Sequence, residues 1–133
     1  MSEYGKKFAD EIEKNGSKTL LYLTWAPQDR PHDQATISRA YRELGRELNA
    51  KVAPVGEAWE MALEADEQLV LHHSDKKHPA ASGSYLAACV FYATIYGKSP
   101  EGLSGKLAKL TDDKARVLQA SAWKAVQAAE LNP

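Results

Sequence analysis

The chain has 133 residues, 44% apolar and 26% charged, with 17 Lys and Arg against 18 Asp and Glu and a net charge of -1. This is the length of one domain, 1–133, with a core of ordinary size, and the even charge excludes a basic footprint for nucleic acid and an acidic tail. A single cysteine, Cys89, excludes a disulfide framework within the chain and fits a reducing compartment; with no stretch resembling a signal peptide, the expected location is the cytoplasm.

Tyr4, Phe8 and Ile12 fall four apart and predict an amphipathic helix over 3–14, stopped by Asn15-Gly16, both of which tolerate a left-handed backbone. KTLLYLTW (18–25) is a short, continuous apolar run of β-formers and predicts a strand buried on both faces. APQDRPHD (26–33), with two prolines, reads as a loop. Ile37, Ala40, Tyr41, Leu44 and Leu48 mark one stripe of a second helix, about 34–49, with Asp33 as its N-cap. KVAPVG (51–56) predicts a second short strand that Pro54 ends. A third helix, about 57–66, carries Trp59, Met61 and Ala62.

The loop that follows holds three of the four histidines, in LHHSDKKHPAASGSY (71–85). Residues 81–96 predict a helix apolar all round and therefore buried, with Cys89 as a small core filler. Its apolar run, YLAACVFYATIY (85–96), is too short to span a bilayer. GKSPEGLSGK (97–106) is a loop, and a last helix, about 112–130, starts at a TDD cap and presents Ala115, Leu118, Ala122, Trp123, Val126 and Ala129. Tyr22, Tyr41, Tyr85, Tyr92 and Tyr96 fall on apolar faces and are expected in the core. The order of elements implies an α/β chain whose two strands run parallel across a helical crossover.

Asp75 and His78 are three apart, with Pro79 next. At that distance the aspartate can accept a hydrogen bond from one ring nitrogen and fix the tautomer, leaving the other nitrogen to act as a base toward a hydroxyl. The spacing alone fits either this base with its orienter or a solvated loop. Lys76 and Lys77 beside it would favour an anionic ligand. Trp25 and Trp59, near the carboxyl ends of the strands, either line a pocket or pack in the core; Asp29 and Arg30 either touch substrate or form a solvated turn.

SDKKHPAASGSYLAACVFYATIYGKSP (74–100) resembles the last block of the SGNH/GDSL hydrolases, where Asp-x-x-His-Pro precedes a C-terminal helix. LLYLTWAPQDRP, AYRELGRELNA, KVAPVGEAWEMAL and LTDDKARVLQASAWKAVQ are similar to the C-terminal half of a bacterial subgroup of that superfamily, so the likeness covers about 4–130. The resemblance implies a truncated flavodoxin-like, three-layer α/β fold, with few parallel strands flanked by helices and completed by dimerisation. It implies Asp75 as orienter and His78 as general base of a Ser-His-Asp triad. Ala80 stands where the subgroup often has a capping Ser or Thr. The family's Gly-Asp-Ser or Gly-Asn-Ser nucleophile motif and its oxyanion blocks do not occur in this sequence.

Two further expectations follow. His72, His73, Asp75 and His78 supply three imidazoles and a carboxylate, a donor set for a divalent metal such as zinc, with the two adjacent histidines either contributing across a dimer or serving as plain loop residues. The apolar strand at 18–25, left with a bare edge, would pair with its copy in a homodimer, with the last helix folding over that edge as the alternative. The expected function is a small hydrolase of ester or phosphoester substrates with His78 as base or metal ligand and Asp75 beside it. The alternative is a non-catalytic remnant or homodimeric interaction module.

Overall fold

Residues 2–131 are described by the computed structural model; Met1, Asn132 and Pro133 of the expected domain lie outside them. The elements are α1 (Ser2–Lys14), β1 (Leu20–Tyr22), α2 (Gln34–Leu48), β2 (Lys51–Ala53), α3 (Val55–Ala65), α4 (Ala81–Tyr96) and α5 (Asp112–Leu131). Single 3-10 turns occupy Pro31–Asp33 and Lys106–Ala108.

The helix limits follow from local stop signals. Gly16 ends α1 at φ +71°, where the Asn15 side-chain amide donates to the Glu11 carbonyl at 2.7 Å. Asn49 (φ 47°) and Gly97 (φ 62°) close α2 and α4 in the left-handed region. Thr111 Oγ1 accepts the Lys114 amide at 3.4 Å and caps α5 as its sequence predicts. Asp33 holds the N-cap position of α2 but makes no side-chain cap bond. Its backbone is already turning in the 3-10 segment, and its carboxylate faces Arg30 (3.5 Å) and His32 (3.4 Å) instead.

The expected truncated flavodoxin-like three-layer α/β architecture is not what forms. The described residues are 62% helix and 6% strand, with one two-stranded parallel sheet. Leu20, Leu21 and Tyr22 stand opposite Lys51, Val52 and Ala53. Pairing reaches one residue further: the Leu23 amide donates to Ala53 at 3.1 Å, and the Leu23 carbonyl accepts the Gly56 amide at 2.9 Å. Then both strands stop. Pro54 has no N–H to donate, and α3 begins at Val55, two residues earlier than the apolar pattern suggested. Beyond Leu23 the backbone is claimed by a side chain. Gln34, only 2% exposed, accepts the Ala26 amide at 2.7 Å and donates to the Thr24 carbonyl and to Ser38 Oγ, both at 3.2 Å.

With so little sheet, the helices pack mainly on one another. The core joins Val55, Ala58, Trp59 and Ala62 of α3, Leu86, Val90 and Ala93 of α4, and Leu118, Ala122, Ala125 and Val126 of α5, with Ala53 of β2 and Leu69 and Leu71 beyond α3. Alanines at these contacts let the helices approach closely. α5 packs on α3 and α4. Arg42 of α2 clamps Glu57 of α3 through both carboxylate oxygens at 3.0 and 2.5 Å. A second buried glutamine, Gln119 of α5, fastens the 97–106 loop. It accepts the Gly102 amide at 3.0 Å and donates to the Leu103 carbonyl at 2.7 Å and to Tyr85 Oη at 2.6 Å.

Three burial expectations are corrected. Tyr4 and Phe8 are exposed; α1 instead turns its Gly5 side to α2, with room for a Cβ only 3.1 Å from Leu44. α4 is not buried all round, since Ile95 is 57% exposed, and Tyr96 is exposed too. Tyr22 is 37% exposed rather than in the core. Among the described residues no helix is long and apolar enough to cross a membrane.

Gly56 is where this arrangement is tightest. A Cβ there would lie 2.2 Å from both Gln34 Nε2 and the Thr24 carbonyl, so Gly56→Ala must push the buried amide off its partners. The expected loss is roughly 2–3 kcal/mol of stability. Urea denaturation measures it, and an unchanged midpoint would mean that the Gln34 contacts do not constrain α3.

Candidate functional site

The loop between α3 and α4 is built as a small closed hairpin. The His73 amide donates to the His78 carbonyl and the Ala80 amide to the Leu71 carbonyl, both at 2.8 Å. His72 and Pro79 face each other across it. The Lys76 amide bonds back to His73 at 2.9 Å, and Lys76 takes the left-handed conformation at the tip, φ 64°. Asp75 organises that tip. Its Oδ1 accepts the amides of Lys77 and His78, both at 2.9 Å, an aspartate turn that the i to i+2 and i+3 spacing allows. Its Oδ2 lies 2.6 Å from His78 Nδ1.

Both carboxylate oxygens therefore receive hydrogen bonds. The His78 side-chain bond, followed by the two amides, holds the Asp75 carboxyl well below the usual carboxylate range. Nδ1–H donates to this carboxylate, which leaves Nε2 as the ring nitrogen not engaged by Asp75. The imidazole is 80% exposed, and no group among the described residues bonds to Nε2. The pair is thus a carboxylate hydrogen-bonded to an imidazole that is open to solvent.

Its position on the molecule is set by three contacts from the segment after β1. Trp25 Nε1 donates to the Lys77 carbonyl at 2.9 Å. The Gln28 amide donates to the Lys76 carbonyl at 2.9 Å. His72 is buried, and its Nε2–H donates to the Ala26 carbonyl at 3.0 Å. Trp59 stands behind this latch, stacked on Trp25 at 4.2 Å and met edge-on by His72 at 5.0 Å. Gly83 at the start of α4 allows the approach, since a Cβ there would sit 2.4 Å from both the Leu71 carbonyl and the Trp59 ring. The hydroxyl of Ser82 donates to the Val70 carbonyl and secures the same turn.

The four residues of the zinc expectation do not converge. His72 points inward to Ala26 with its Nε2 engaged, His73 Nδ1 lies 3.3 Å from Ser74 Oγ, and only Asp75 and His78 meet. Among the described residues no group of three or more His, Cys, Asp or Glu side chains is placed to hold a metal ion. The donor set does not fit a resident zinc within one chain. Cys89 is buried, and burial pushes its thiol up to about 11, which makes it a core filler. Trp25 and Trp59 serve as packing and latch rather than as pocket walls. Asp29 and Arg30 lie in an exposed turn closed by the Arg30 amide on the Pro27 carbonyl at 2.9 Å.

The residues that sequence reasoning missed are Gln34 and the inward role of His72. Gly56 and Gly83, each beside an apolar run, were the available signals of close backbone approach. A cavity of about 420 Å³ lies elsewhere, at the amino end of β2, with Arg46, Lys51, Val52 and Val126 among its walls. No known protein family, curated protein or solved structure matches the chain.

Because its carboxyl group is held low in the folded loop, Asp75 stabilises the loop fully above the ordinary carboxylate range, and that contribution declines as pH falls from that range to the lowered value. The side-chain carboxyl carbon of Asp75 is therefore expected to show no protonation step in the ordinary carboxylate range, about pH 4, and to show it only in stronger acid. A midpoint at the ordinary carboxylate value would show that these bonds do not form in solution.

Proposed function

We propose that this chain is a hydrolase of ester or phosphoester substrates in which His78 is the general base and Asp75 its orienter. The observation that carries the reading is the 2.6 Å contact between Asp75 Oδ2 and His78 Nδ1, with Nε2 free toward solvent. The resemblance of residues 74–100 to the Asp-x-x-His-Pro block of SGNH/GDSL hydrolases supports it.

The nucleophile in this proposal is water. His78 Nε2 takes a proton from the water as its oxygen attacks the carbonyl carbon or phosphorus. The resulting imidazolium is stabilised by Asp75, and the departing alkoxide then recovers the proton from Nε2. Lys76 and Lys77 are exposed within two residues of the pair, and their charge favours an anionic phosphoester over a neutral ester. A positioned base contributes on the order of 10²–10⁴-fold, so turnover is expected to be modest.

A panel of p-nitrophenyl esters and phosphoesters tests this. His78→Ala should lower the rate by at least about 100-fold and Asp75→Asn by about 10- to 100-fold, with chelator having no effect. If no substrate turns over faster than in buffer, the hydrolase reading fails. A second reading then stands, a non-catalytic interaction module, which the exposed apolar residues Tyr22 and Ile95 favour.

A further inference from the structure

α4 carries an outward face that is largely uncovered among the described residues. None of its 16 residues is charged, yet only one side of it is buried, through Gly83, Leu86, Ala87, Cys89, Val90, Ala93 and Thr94. Opposite runs Ser84, Ala88, Phe91 and Ile95, spaced four, three and four apart, which is one stripe of a helix. Ser84, Ala88 and Ile95 are exposed and Phe91 is half-buried. The stripe is continuous with β1, because the Tyr22 ring meets Phe91 edge-on at 4.8 Å. Among the described residues β1 pairs only with β2, so its outer edge offers unpaired backbone groups beside this apolar surface.

We propose that a second copy of this chain docks here, across the outer edge of β1 and the Ser84–Ala88–Phe91–Ile95 stripe of α4, in a twofold dimer. Two features favour a copy over another occupant. The stripe is small at its first half and large at its second. A twofold axis lays the two α4 helices antiparallel, which sets Ile95 of one copy against Ala88 of the other and brings the two Phe91 rings together near the axis. The same axis pairs β1 with itself antiparallel, and Leu20 of one copy then faces Tyr22 of the other on the α4 side of the sheet. No charge on the stripe opposes the contact, and a chain of net charge -1 repels its copy weakly. The antiparallel arrangement sends the two Asp75–His78 pairs to opposite ends of the assembly, so the dimer stands or falls independently of the hydrolase reading.

Light scattering on a sizing column at micromolar concentrations is expected to give the dimer mass, and Phe91→Glu with Ile95→Glu to give a monomer of unchanged circular dichroism. A second variant guards against loss of folding. In Ala88→Cys with Ile95→Cys the two thiols of one chain are two helical turns apart, about 10 Å, too far to bridge. Across the axis they meet, and mild oxidation should give a disulfide-linked dimer that Ser104→Cys, placed off this face, does not. A monomer mass at every concentration would overturn the proposal. So would a dimer that survives both glutamates while the cysteine pair fails to cross-link.

Discussion

Where the two strands run out, the side-chain amide of Gln34 takes the place that a neighbouring strand's backbone would hold. It receives the Ala26 N–H and gives to the Thr24 carbonyl, and it does so 2% exposed. A peptide group buried without a partner costs about 1–3 kcal/mol, so the segment after β1 could not lie inside the molecule without it. Gly56 is the counterpart of this bond, because only a residue without a side chain lets α3 start so close to Thr24 and Gln34. One amide therefore fixes how β1 ends, where α2 begins and how near α3 approaches.

The exposed Asp75–His78 pair depends on that same segment. Once Gln34 holds residues 24–26, the Ala26 carbonyl is in place for His72, and Trp25 is in place for Lys77. The loop is thus anchored at its base by a buried imidazole and at its far side by an indole, while its tip stays in water. Within the tip the geometry is local. Asp75 uses one oxygen for two amides and the other for the ring, so the hydrogen bonds that orient the His78 ring all lie within residues 75–78. Anchor and tip divide the work: long-range contacts decide where His78 sits, and short-range contacts decide which way its ring faces.

The core shows the same economy of parts. Three-residue strands cannot support helical layers on both faces, and α3, α4 and α5 instead meet through alanines and single large residues such as Trp59, Leu86 and Leu118. Packing on one side of α4 leaves its other side bare. A helix with no charge anywhere in 16 residues then presents Ile95 and Tyr96 outward.

The sequence by itself determined the helices and the chemistry of the Asp75–His78 tip. Capping by Thr111, the left-handed stops at Gly16 and Gly97, and the three-residue reach of an aspartate side chain are all set within one turn of chain, so spacing reveals them. Only the tertiary structure decided the extent of the sheet, the burial of His72 and the outward turn of Tyr22 and Ile95. An apolar run such as KTLLYLTW states that a strand is favourable but not where its ladder ends. That depended on Pro54 and on Gln34, whose partners Thr24 and Ala26 lie ten and eight residues away. His72 and His73 are chemically identical neighbours in the sequence, and they differ because the Ala26 carbonyl, 46 residues distant, reaches only one of them.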